Sequence, residues 1–88
     1  MLNRLNIKEV KVEIGRLVRV LRKREKLSQQ ELADKLNISR ITIQNIEAGK
    51  NFTIDTLLKI LNEFDLLSEI NQFFQDNTTN LDITNSLY

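Results

Sequence analysis

The 88-residue chain contains no cysteine, no histidine and no proline, and only two glycines. Without cysteine it forms no disulfide and offers no thiolate; lacking histidine as well, it excludes ordinary zinc sites and imidazole acid–base chemistry. There is no glycine-rich phosphate loop and no nucleophile with an evident base, so the chain reads as a non-enzyme with no catalytic residue, cofactor or metal. No apolar run approaches the roughly 20 residues that span a bilayer. The start Met1-Leu2-Asn3-Arg4-Leu5-Asn6 has no hydrophobic signal core, and the expectation is a cytoplasmic protein with no membrane partner. Neither half has charge of both signs in balance. Residues 1–50 hold 12 Lys/Arg against 6 Asp/Glu, whereas residues 51–88 hold Lys59 alone against 6 acids, a split concealed by the net charge of +1. The first half suits phosphates and the second repels them.

What is present is a dense set of helix signals. Ser28 is placed to cap a helix beginning at Gln29, with Glu31 reaching back to the Ser28 N–H and Leu27 and Leu32 at the spacing of a hydrophobic staple. Ser39 repeats the arrangement for a helix beginning at Arg40, with Ile38 and Ile43 as the staple and Thr42 in the third helical position. Only Asn37 and Ile38 are left to reverse the chain between the two. Asn37 is therefore the expected left-handed residue, since Asn tolerates that conformation better than any residue but Gly. Leu32, Leu36, Ile38, Ile43 and Ile46 face a shared core in this reading, and Ala33 is small where the two helices cross. The product is a helix-turn-helix, a shape that sets its second helix in the DNA major groove.

Around this unit, Val10, Ile14, Leu17, Val18 and Leu21 mark a first helix from about residue 7 to Lys26. Thr53 caps a fourth helix, with Phe52 and Leu57 as its staple; its expected buried stripe is Ile54, Leu57, Leu58, Leu61 and Phe64, with Ile60 off the stripe. A fifth helix is predicted from Leu66 to Gln75. Its Leu66, Leu67, Ile70, Phe73 and Phe74 exceed what so small a domain covers by itself, and Leu67, Ile70, Phe73 and Phe74 are the candidate dimer interface. Residues 1–75 thus read as one DNA-binding and dimerising domain, and residues 76–88 as a short flexible C-terminal tail. Leu81, Ile83, Leu87 and Tyr88 are spaced along that tail as anchors for a partner groove, although a solvated terminus explains the stretch equally.

Three stretches carry a family resemblance: Ile14-Gly15-Arg16-Leu17-Val18-Arg19-Val20-Leu21-Arg22, Leu27-Ser28-Gln29-Gln30-Glu31-Leu32-Ala33 and Ile46-Glu47-Ala48-Gly49-Lys50. The chain resembles the Xre-type, or phage-repressor/Cro-type, helix-turn-helix regulators over about residues 10–75. The resemblance implies an all-α, compact five-helix fold like that of lambda repressor. Asn37 departs from the family, which usually has Gly there. The family's matching positions also imply an interhelical ion pair between Arg22 and Glu47, and a phosphate contact for Gln29. The run Arg22-Lys23-Arg24-Glu25-Lys26 otherwise reads as a solvated helix end.

Recognition residues follow from helical geometry. With Ile43 and Ile46 facing the core, Arg40, Ile41, Gln44 and Asn45 face the groove: Arg40 suits guanine, Gln44 and Asn45 suit adenine, and Ile41 suits a thymine methyl or packs on a neighbouring side chain. Gln29, Ser39, Thr42 and Lys50 are expected at the DNA backbone. These features describe a homodimeric repressor on double-stranded, pseudo-palindromic operator DNA, its two recognition helices about 34 Å apart. Residues 52–61, with Leu66-Leu67 and the fifth helix, look similar to HipB-like antitoxins, which regulate their own operon and associate with a HipA-like Ser/Thr kinase toxin. Two further readings stand beside that one: a stand-alone phage or host regulator, and an antitoxin acting chiefly by protein binding.

Overall fold

A computed structural model describes residues 4–86 of the protein, with side chains through residue 82. Five helices follow one another: α1 (Ile7–Arg24), α2 (Gln29–Leu36), α3 (Arg40–Glu47), α4 (Ile54–Glu63) and α5 (Leu67–Ser86). Helices α1 and α2 pack on α3, α4 closes on α2, and α5 touches the body through α4. Val18, Leu21, Leu32, Ala33, Ile43, Ile46, Ile60 and Phe64 form one core, with Leu27, Ile38, Phe52 and Leu66 packed against it from the turns.

Side-chain caps define where the helices begin. Ser28 and Glu31 form a reciprocal box: the Glu31 N–H donates to Ser28 Oγ at 3.0 Å and the Ser28 N–H donates to Glu31 Oε1 at 2.7 Å. That pair of bonds, the backbone one foremost, holds the Glu31 carboxyl below its ordinary pKa. Asn6 and Glu9 make the same box at the start of α1. Ser39 Oγ accepts from the Thr42 N–H at 3.1 Å and Thr53 Oγ1 from the Thr56 N–H at 3.2 Å. A cap of this kind contributes about 1 kcal/mol.

Four helices end in one way. The N–H of Leu27, Ile38, Lys50 and Leu66 donates across the turn to the carbonyl five residues earlier (Arg22, Ala33, Asn45 and Leu61), and the preceding residue is left-handed in each case. Those left-handed residues are Lys26, Asn37, Gly49 and Asp65, with φ of 59°, 55°, 74° and 58°. Only one is glycine. Leu27, Ile38 and Leu66 then turn inward onto the core, so three of the four turns are held by an apolar anchor as well as by hydrogen bonds. The other glycine, Gly15, acts through size alone: a methyl group there would overlap the Ile46 carbonyl oxygen, so its absence lets α1 lie directly on the end of α3.

Two sequence expectations are corrected. In α4 the buried face is Thr56, Ile60 and Leu61, continued by Phe64; Ile60 is fully buried while Ile54 is 61% exposed and Leu58 half-buried. Apolar residues at 54, 57, 58, 60, 61 and 64 cover nearly two faces of so short a helix, and periodicity does not choose between them. The second correction concerns the expected flexible tail, which through Ser86 continues α5 beyond Gln75. No proline or glycine, the strongest helix breakers, follows Gly49. Bonds from Gln72 Nε2 to Asp76 Oδ1 and from Asn77 Nδ2 to the Phe73 carbonyl, both 2.8 Å, span the point where it was expected to end. The anchors Leu87 and Tyr88, and the side chain of Ile83, lie outside the described residues.

Replacing Lys26 or Asp65 by Gly is expected to stabilise the protein by about 0.5–1 kcal/mol, because a side chain in the left-handed region costs about 1–2 kcal/mol and the looser unfolded chain returns part of that gain. Gly15→Ala is expected to cost about 1–3 kcal/mol, as overpacking against backbone does. Urea melts of the three variants measure both effects.

Candidate nucleic-acid interface

The centre of the site is a buried carboxylate at the end of α3. Glu47, its side chain 1% exposed, accepts from Arg22 Nε at 2.7 Å on one oxygen and from Arg22 Nη2 at 2.9 Å on the other. Arg22 Nη1 donates to the Leu27 carbonyl at 2.9 Å, so one guanidinium ties α1 to α3 and to the turn that launches α2. Gln29 Nε2 adds a third bond to Glu47, at 3.1 Å, from the first residue of α2. Arg19, half-exposed, reaches the same oxygen through Nε at 3.5 Å. Burial pushes the Glu47 carboxyl up, but the hydrogen bonds from Arg22 and Gln29 and the Arg22 charge outweigh it and hold the group below its ordinary range. The same hydrogen bond raises Arg22. Of the basic run that Arg22 opens, residues 23–26 are exposed.

This cluster fixes which way α3 faces. With Ile43, Ile46 and Glu47 turned inward, Arg40, Ile41 and Gln44 are exposed on the opposite face and Asn45 is half-buried beside them. Ile41 is 62% exposed, so it does not serve the core. Ser39 and Thr42 sit at the start of α3 with their hydroxyls 2.8 Å apart, and Thr42 is half-buried. Lys50 is exposed just beyond the other end, where Lys11 of α1 donates to Asn51 Oδ1 at 2.6 Å and links α1 to the loop before α4. Gln29 stands at the surface edge with one amide N–H given to Glu47 and a second still available, since a primary amide carries two. The exposed row on α3 is thus flanked by the Ser39 and Thr42 hydroxyls at its start and by Lys50 beyond its end.

A family model described as helix-turn-helix matches residues 18–70, a span from the middle of α1 to the first turn of α5. The chain belongs to the Xre-type helix-turn-helix family. It is a DNA-binding transcription regulator, all-α with five helices among the described residues. No curated protein matches the chain. No described helix of the regulator is long and apolar enough to cross a membrane.

Sequence reasoning missed Arg19 and Gly15 as parts of this site. Arg19 lies three residues before Arg22 on the same face of α1, a spacing that places both guanidiniums over one carboxylate. Two guanidiniums on one carboxylate leave a surplus positive charge at the surface beside Gln29. Gly15 was legible only as part of the family resemblance, because a close helix crossing has no signature in hydropathy.

The regulator's acid stability follows from Glu47. Its folded pKa is depressed, so the unfolded chain takes up the proton more readily; the contribution is fully present above the ordinary carboxylate value of 4.5 and is lost as pH falls through the depressed one. Urea melts across that range are expected to show a falling acid limb that Glu47→Gln flattens. At neutral pH Glu47→Ala leaves Arg22 buried without its partner and is expected to cost about 3–5 kcal/mol.

Proposed function

We propose that the regulator is a sequence-specific repressor that binds pseudo-palindromic operator DNA as a two-fold dimer. The observation that carries this is the exposed row on α3 opposite its buried face. Arg40, Gln44 and Asn45 read base edges and Ile41 meets a thymine methyl, while Gln29, Ser39, Thr42 and Lys50 hold phosphates. Two protomers joined through Leu67, Ile70, Phe73 and Phe74 present two recognition helices to successive major grooves, which multiplies their binding. Phe73 and Phe74 are each more than half exposed and Leu67 is 38% exposed, so these side chains are available to a partner surface. The likeness of residues 52–61 to HipB-like antitoxins supports a narrower role, an autoregulating antitoxin that associates with a HipA-like Ser/Thr kinase toxin.

Asn45→Ala is expected to cost on the order of 1–3 kcal/mol on operator DNA and to relax one position of the site, whereas Lys50→Ala weakens binding to all sequences and lowers the salt slope by about one. Titrations of both variants on operator and scrambled duplexes check the assignment; equal losses on the two DNAs for Asn45→Ala refute it.

Ile70→Asp places a charge in the proposed interface and is expected to give a folded monomer by sedimentation, with weakened operator binding. Recovery of a co-encoded kinase with the tagged regulator supports the antitoxin role. A dimer that binds operator and recovers no kinase is a stand-alone regulator, and one that captures kinase without operator affinity acts chiefly by protein binding.

A further inference from the structure

The outer half of α5 is unaccounted for by the DNA-facing surface. Asp76-Asn77-Thr78-Thr79-Asn80 are five successive poor helix formers, and helices in water draw most of their stability from packing. Yet the helix runs to Ser86, with residues 71–82 all exposed. A helix of this composition needs a second surface to lie against.

Leu67, Ile70, Phe74, Asn77 and Leu81 recur at alternating steps of three and four, which sets them in one stripe about 21 Å long. Phe74 and Leu81 are 56% and 64% exposed. The positions flanking the stripe are Asn71, Phe73, Thr78 and Asn80, and none is charged; Glu69, Asp76 and Asp82 fall on the far side. Flanking charges are what direct such a seam to an oppositely charged partner. Here the flanks are neutral, so two copies of an acidic helix meet without repulsion.

We infer that two α5 helices pair in parallel along this stripe as a short coiled coil, which extends the proposed dimer interface past Phe74 to Leu81. The orientation follows from Asn77. In a parallel pair each layer faces its own copy, so two Asn77 amides meet and hydrogen-bond across the axis. In an antiparallel pair that brings Leu67 near Leu81, Asn77 faces Ile70 or Phe74, and a buried amide loses its partner. The Asn77 amide donates to the Phe73 carbonyl of its own helix and keeps a second N–H and its oxygen for the mate.

The lack of native cysteine makes the test direct. Full-length Leu67→Cys, Leu81→Cys and Gln72→Cys are oxidised separately and as a mixture of the first two, then run on non-reducing gels. Disulfide-linked dimers are expected at 67 and at 81 separately, with at least ten-fold less at 72, which lies on the outer side. Leu81→Asp is expected to shift sedimentation to monomer without moving the melting of the helical body. The inference rests on the dimer of the proposed function, and the two fail differently. A wild-type protein that sediments as a monomer overturns both. A dimer cross-linking at neither 67 nor 81 overturns the α5 pairing alone, and one that links only 67 to 81 in the mixture overturns the parallel orientation.

Discussion

The fold depends on a single carboxylate. Glu47 is buried where α1, α2 and α3 converge, and its two oxygens accept bonds from one residue of α2 and two of α1. Hydrophobic contacts bring these helices together but leave their rotation about their own axes loosely specified. A bidentate guanidinium pair specifies it, because the two parallel hydrogen bonds form in one geometry. Fixing Glu47 inward fixes Arg40, Ile41 and Gln44 outward on the same helix. The polar network therefore orients the α3 face, and the hydrophobic core keeps the network dry.

Gly15 and Ala33 belong to the same constraint. A short ion pair between helices requires their backbones to be close: Gly15 lies where α1 passes against the end of α3, and Ala33 is fully buried in the core the helices share. Charge separation along the chain has a related consequence. The basic residues are concentrated in α1, α2, α3 and their turns, while α4 and α5 carry the acidic excess. Phosphate attraction is thus confined to the part of the molecule that carries the α3 row, and the acidic end turns away from a polyanion.

What was legible in the sequence was mostly local. Ser28 with Glu31, Ser39, Thr53 and Asn37 each act within a few residues of chain, and their caps and turn stand where the spacing puts them. Arg22 and Glu47 are 25 positions apart, and only the family resemblance joined them. Tertiary context decided the rest. Ile60 displaced Ile54 from the core because α4 is apolar on more than one side, and its rotation is set by what α2 and the core offer. The length of α5 was hidden because a polar helix and a polar coil look alike by hydropathy. Lys26 carried no sign of a left-handed turn, since Lys does not favour one, and Asp65, whose type does tolerate it, stood among apolar helix signals on both sides.

Those turns bear on how the protein can change. A chain that closes three of four helix ends without glycine sits below the stability its own architecture permits, and two of the sites that hold the difference, Lys26 and Asp65, are exposed positions outside the α2–α3 turn. The folded fraction in a cell responds to changes of 1–2 kcal/mol with several-fold changes in abundance. Single substitutions at those two positions therefore adjust how much folded regulator is present while leaving the exposed row of α3 untouched. Dose and specificity are under separate mutational control.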